Sequence, residues 1–243
     1  MATDAHRNVL GQPVGAPLSG WTPARPPSRD PLRGRYCVLE ALDRTRHAED
    51  LHASTDRETS GALWTYLPYG PHADASACAA WIDTMAKNPD LLAMAIIDLA
   101  TGTAVGVAAY LRMDTAIGSI EVGHLVYAPQ LQRSTAATEA MYLMMDQAFR
   151  LGFRRYEWKC DALNAPSRRA AERLGFTYEG LFRQATIIKG RNRDTAWYSV
   201  IDAEWPRLRG IFQRWLDPAN FDAQGQQRSA LSQLHGDPGR NAR

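Results

Sequence analysis

"NAPSRRAAERLGFTYEG", residues 164–180, decides the fold, because it reads as a short helix carried between two strands. Asn164 is placed to cap the first turn, and Gly175 closes the helix as a left-handed C-terminal residue does. Before it, "RRYEWKCD" (154–161) alternates Tyr156, Trp158 and Cys160 against Glu157, Lys159 and Asp161, the period of a strand. After it, "FTYEGLFRQATIIKG" and "DTAWYSVIDAEW" complete the sheet as a hairpin around "GRN" (190–192). A strand that hands the chain to a helix and receives it back needs a crossover, so this sheet is not built from hairpins alone.

The same reading extends toward the N-terminus. "TAATEAMYLMMDQAFRLG" (135–152) carries apolar residues at 137, 141, 144, 148 and 151 and ends on Gly152, as a helix does. "GSIEVGHLVYAP" (118–129) is a strand stopped by Pro129, and "LLAMAIIDLA" and "AVGVAAYLRM" are two strands joined at the turn "TGT". "DASACAAWIDTMAK" is a helix with Asp74 as N-cap, preceded by the ring-rich loop "LWTYLPYGP" (63–71). A strand near 35–41 and a helix near 43–54 open the compact region. The order predicts an α/β fold: one domain with a mixed, mostly antiparallel central sheet flanked by helices.

Composition bounds the rest. A chain of 243 residues with 45% apolar and 22% charged residues can bury one sizeable core. A net charge of +2 without any like-charge block gives no footprint for nucleic acid. The strongest apolar run, "LLAMAII" (91–97), is far below spanning length, and "MATDAHRNVLG" has no apolar signal region, so neither membrane nor export is expected. Cys37, Cys78 and Cys160 lie far apart with no CxxC spacing, which argues against disulfides and zinc and for a reducing, cytoplasmic setting.

The flanks differ in texture. Residues 1–32 belong to a Pro/Gly-rich stretch that reads as an extended arm able to dock through Trp21, with the compact domain over 33–205. In 206–243, Leu208, Ile211, Phe212, Trp215 and Leu216 share one helical stripe, which packs on its own domain or forms a homodimer contact. From about 219 the chain is polar and Gly/Gln-rich and is expected to be mobile.

Two strand-to-helix junctions invite chemistry. In "QLQRSTAATEA" (130–140) the backbone N–H groups of 133–137 can converge on an anion, and small side chains allow close approach. At the second, the Asn164 side chain caps its helix or reaches a ligand beside the strand ends, with Ser167 one turn inside. Arg168 and Arg169 read as a solvated helix face, Arg168 spaced from Glu172 as an i,i+4 pair, or as attraction for phosphates.

These stretches resemble the GNAT superfamily of acyl-CoA-dependent N-acyltransferases, and within it the branch that acetylates ribosomal-protein N-termini. "IEVGHLVYAP" looks like the family's fourth strand, whose splayed backbone takes the pantetheine arm of acetyl-CoA as a strand partner. "QLQRSTAATEA" resembles the pyrophosphate loop Q/R-x-x-G-x-G/A, and "NAPSRRAAERLGFTYEG" the Asn-containing helix and LGF-plus-EG signature. The resemblance implies acetyl-CoA as co-substrate, held by Leu125, Val126, Gln132, Arg133, Ser134, Thr135, Ala136, Ala137, Asn164 and Ser167, with no metal. Thr135 stands at the loop's middle glycine, and Thr186 stands where related enzymes carry an acidic residue.

Amine attack on a thioester needs a neutral nucleophile, a polarised carbonyl and a proton for the leaving thiolate. Near pH 7 an α-amine is neutral in about one molecule in ten, a lysine amine in about one in a few thousand. Glu121 is the first candidate base, with a structural carboxylate as the equal alternative, and His124 is the second. By the resemblance, backbone N–H groups near Leu125 or Val126 polarise the thioester oxygen and Ser167 stabilises the thiolate. Trp64, Tyr66 and Trp197 are candidates to wall the amine slot, with Arg193 reading charge. The expectation is an acetyl-CoA-dependent N-acetyltransferase acting on a protein N-terminus or a small molecule. The alternatives are an antibiotic or metabolite acetyltransferase without protein substrates, and a non-catalytic acyl-CoA-binding protein.

Overall fold

The structure, a computed structural model, describes residues 6–56 and 61–236. A short hairpin of β1 (His6–Arg7) and β2 (Pro13–Val14) precedes β3 (Leu32–Arg33), which pairs with β4 (Cys37–Ala41). Then come α1 (Arg44–Leu51), a π-helical turn (His52–Asp56), a 3-10 turn (Ala62–Trp64) and α2 (Ala75–Lys87). β5 (Leu91–Asp98), β6 (Ala104–Asp114) and β7 (Ser119–Tyr127) run as a meander into α3 (Thr135–Arg150). β8 (Arg155–Asp161), α4 (Ala165–Arg173), β9 (Thr177–Ile188), β10 (Arg191–Ile201), α5 (Trp205–Leu216) and α6 (Leu231–His235) complete the order.

Eight strands form one sheet in the order β3-β4-β5-β6-β7-β8-β10-β9. Every neighbouring pair is antiparallel except β7 and β8, which α3 connects as a parallel crossover. The helix caps follow the sequence: Asp74 accepts from Ala77 N at 2.8 Å and Asn164 from Ser167 N at 3.1 Å. Because side chains alternate along a strand, Tyr156, Trp158 and Cys160 point into the core under α3 and α4, and Glu157 and Lys159 point to the other face. A second cluster lies under α1 and α2 on Ala93, Ala95, Val107 and Ala109, so the helices of that face cover the β5–β6 half of the sheet.

The flanks are more closely bound than their composition suggests. Trp21 Nε1 donates to Ala116 O at 3.2 Å, and Ala24 N donates to Thr115 O at 2.9 Å, so the arm lies along the β6–β7 turn. The stripe on α5 is buried against its own chain, which takes that face away from a dimer. Within 219–236, a stretch expected to be mobile, Phe221 packs on Trp215 and Tyr36, and Leu231 is buried. A few apolar anchors hold a polar segment that composition alone reads as loose.

Candidate active site

The site starts from an irregularity in β7. Its register with β6 jumps between Val107 and Ala109, and His124 has φ of +52°. One extra residue reverses the alternation: Ile120 and Val122 face one core before it, and Val126 faces the other core after it. β7 pairs with β8 over Ser119–Val122 only, so beyond Val122 the two strands part and leave a gap edged by Gly123–Tyr127 and by Lys159–Asp161. Ala128 N is spent on Val105 O, which by alternation turns Val126 toward β6 and Leu125 toward the gap.

At the end of that gap stands the N-terminus of α3. Ser134 caps it by accepting from Ala137 N at 3.0 Å, leaving first-turn N–H groups such as those of Thr135 and Ala136 to face outward. The Gln132 side chain folds back onto Tyr127 O at 2.9 Å and so braces the loop. The left-handed backbone of this loop falls at Arg133, with φ of +61°, and not at Thr135. A gap with free strand edge and a small-residue helix N-terminus fits the pantetheine and pyrophosphate of acetyl-CoA. Arg173, which the sequence reading passed over, places its guanidinium on Thr138 Oγ1 at 3.1 Å, inside that first turn of α3.

Glu121 is buried, 2.7 Å from Arg112 Nη1 and 2.9 Å from Lys159 Nζ, and Lys159 also reaches Glu157 at 2.8 Å. A carboxylate held by two cations is already neutralised, which is the structural alternative and a poor setting for a base. His124 sits at the bulge, with Nδ1 2.7 Å from Tyr69 Oη and its ring stacked on that phenol. Burial, reinforced by the Arg112 charge, lowers its pKa to about 4, so the imidazole is neutral near pH 7. Burial pushes the Tyr69 phenol up, which keeps it protonated. Among the described residues, Nε2 of His124 makes no hydrogen bond.

Ser167 lies on the far wall. Its hydroxyl oxygen accepts from Trp158 Nε1 at 3.0 Å, so it is engaged within the chain. Asn164 is occupied as the α4 cap. Arg168 and Glu172 meet at Tyr198 Oη, and among the described residues no ion pair joins them directly.

The proposed amine slot needs one correction. Trp64 is fully buried, edge-on to Tyr69, His72 and Trp81, so it is the keystone of the second core and walls no slot. Its neighbours carry the loop to the gap: Tyr66 Oη donates to Leu163 O at 3.1 Å, and Lys189 Nζ donates to Trp64 O and Gly70 O at 2.9 and 3.0 Å. Trp197 lies under Lys159, whose Nζ is 3.7 Å from the ring centroid, and Phe182 packs on it. Arg193, half-buried on the same strand, has an Nε without a hydrogen-bond partner among the described residues and faces Thr186 across the β9–β10 pair. Tyr69, Lys159 and Lys189 were invisible to pattern reading, since the loop is aperiodic and strand alternation names a face without its partners.

The sequence profile described as "Acetyltransferase (GNAT) domain" matches residues 37–177. A solved GCN5-related N-acetyltransferase from Brucella melitensis is 45% identical over 90% of this chain and all of its own, with a TM-score of 0.88. A GNAT-family protein from Chromobacterium violaceum is 38% identical over 80% of this chain and 98% of its own, at 0.75. This chain belongs to the GNAT acetyltransferases, whose acetyl donor is acetyl-CoA. RimL, a ribosomal L7/L12 α-N-protein acetyltransferase, shares the fold at 19% identity over 73% of this chain and 99% of its own, with a TM-score of 0.61. No curated protein matches this chain. Among the described residues no helix is long and apolar enough to cross a membrane.

Proposed function

We propose that this protein is an N-acetyltransferase that moves the acetyl group of acetyl-CoA to a primary amine, either a protein N-terminus or a small molecule. The observation that carries the reading is the gap beyond Val122, flanked by neutral His124 and strapped by the aromatic loop. Acetyl-CoA, when bound, supplies the reactive thioester. Thr135 and Ala136 N–H groups would hold its pyrophosphate, with Arg133 adding charge, and Leu125 N–H would polarise the carbonyl. Val126, Gln132, Ser134 and Ala137 shape and brace this cradle. Ser167 and Asn164 line its far wall.

His124 is the base in this reading. The reading requires the tautomer in which Nδ1–H donates to the Tyr69 oxygen, which leaves the lone pair on Nε2 for the incoming amine. A group of such low basicity strips little from an ammonium ion, but the amine nitrogen becomes far more acidic as it bonds to carbon. The substrate is therefore an amine that arrives neutral, which favours an α-amine over a lysine side chain. Tyr66, Arg193 and Trp197 would line the amine's approach. The straps from Tyr66 and Lys189 narrow that approach, which favours a slim N-terminus and also supports the second reading, a small-molecule amine.

The test is thiol release from acetyl-CoA with a panel of free α-amines, lysine side-chain amines and small polyamines, beside calorimetric titration with acetyl-CoA. Turnover is expected with α-amines at micromolar donor affinity. Folded protein that binds no acetyl-CoA sinks the proposal; binding without release on any amine leaves an acyl-CoA-binding protein.

A further inference from the structure

The π-helical turn at His52–Asp56 brings together residues that acetyl transfer does not use. Asp56 Oδ2 lies 3.1 Å from His72 Nδ1 and 3.6 Å from His52 Nδ1, and Asp56 Oδ1 accepts the His72 N–H at 2.9 Å. Cys78, on α2, is fully buried, and ligand atoms of Asp56, His72 and Cys78 all lie within 4.8 Å of one another. His72 is fixed edge-on to Trp64 and stacked on Trp81.

We propose that Asp56, His72 and Cys78, completed by His52, form a closed structural site for a divalent metal ion of the zinc class. Imidazole, carboxylate and thiolate together are the donors of such ions, and hard cations of the magnesium class avoid sulfur. Tetrahedral bonds of about 2.0 to 2.3 Å place ligand atoms roughly 3.3 to 3.7 Å apart, so the Asp56, His72 and Cys78 donors close with small side-chain shifts, while His52, already 3.6 Å from Asp56 Oδ2, must turn in as the fourth. The Asp56 side chain is 1% exposed, which suits a site sealed from water.

A hydrogen-bonded Asp–His pair alone explains less. It leaves His52 Nδ1, a buried atom without a hydrogen-bond partner among the described residues, facing the carboxylate, and it gives Cys78 no role. An ion accounts for both: it takes the lone pairs of His52 and His72 and one Asp56 oxygen, and it displaces the Cys78 proton to solvent as the metal–sulfur bond forms. Burial and the Asp56 charge push the free thiol up to about 12, and coordination reverses that order. The π turn sets His52 and Asp56 four residues apart on one side, a local distortion of the kind found where helices carry function. Cysteine spacing misses the site because its ligands come from a turn, a loop and a helix. The bound ion would pin the aromatic loop to α1 and α2.

The experiment uses the full chain, stripped with chelator and titrated with Co(II). One equivalent is expected, with the absorption of a thiolate-to-cobalt charge transfer, release of about one proton, and loss of the band when Zn(II) is added. Cys78→Ser should abolish the band, and His52→Gln and His72→Gln should each weaken Co(II) affinity at least tenfold. Wild-type protein without the band at micromolar Co(II), or a band that survives in Cys78→Ser, overturns the site. If Cys78→Ser fails to fold, the wild-type titration and the two His variants still decide. Zn(II) should also raise the wild-type midpoint of thermal unfolding, a gain the His variants lose.

Discussion

The Tyr69 hydroxyl stands 2.7 Å from Nδ1 of His124, with the two rings nearly parallel at 5.7 Å. That contact joins an aperiodic loop to the bulge where β7 leaves β8. If the phenol orients the imidazole, Tyr69→Phe should lower kcat about 10- to 100-fold with acetyl-CoA affinity unchanged, since proton transfer contributes on that scale. Rates within twofold of wild type, measured by thiol release at saturating donor, would reduce the contact to packing.

The depressed pKa of His124 makes stability depend on pH. Folded, the ring titrates at about 4 against 6.5 when free, because burial and then Arg112 disfavour its cation. The unfolded chain binds the extra proton between those values, so the contribution is complete above pH 6.5 and lost as pH falls toward 4. The loss is bounded near 3 kcal/mol. His124→Asn, which tolerates the left-handed backbone, should flatten this part of the urea-midpoint profile. An unchanged slope between pH 6.5 and 4 would place the titration elsewhere.

Glu121 separates base from brace. Glu121→Gln leaves Lys159 and Arg112 without their shared carboxylate, but Lys159 keeps Glu157 and Arg112 reaches solvent, so the cost is that of the lost charge-assisted hydrogen bonds, about 1.5 to 3 kcal/mol. The expectation is a destabilised enzyme that still turns over at low temperature. A variant as stable as wild type but inactive, compared by urea unfolding and thiol release, would return Glu121 to the role of base.

Much of the architecture was legible because it rests on short-range rules. The alternation of Tyr156, Trp158 and Cys160, the caps at Asp74 and Asn164, and the stripe on α3 all appear as read. What escaped depends on contacts far apart in sequence. Trp64, a candidate wall of the amine slot, is the centre of a core closed by Trp81 and His72, and nothing in its local sequence names those two partners. Glu121 stayed open between base and structural carboxylate because its partner Lys159 meets it from β8, and the tail looked loose because Phe221 and Leu231 are few among polar neighbours. Tyr69 carried no periodic signal at all.

Thr135 is the sharpest departure from the family's loop pattern, and its backbone explains why it is tolerated. A glycine is demanded where φ is positive, and here that position is Arg133 at +61°, whereas Thr135 is the first residue of α3. Thr135→Gly should therefore gain no acetyl-CoA affinity and should lower stability by only about 0.3 kcal/mol, the difference between glycine and threonine in a helix. Arg133→Gly should do the reverse on both counts: it removes a strained left-handed side chain, stabilising by about 0.5 to 1 kcal/mol, and it removes a cation beside the pyrophosphate, weakening the donor. Calorimetry and urea unfolding on the two variants read both quantities. Tighter binding by Thr135→Gly would mean that the threonine side chain obstructs the cradle after all.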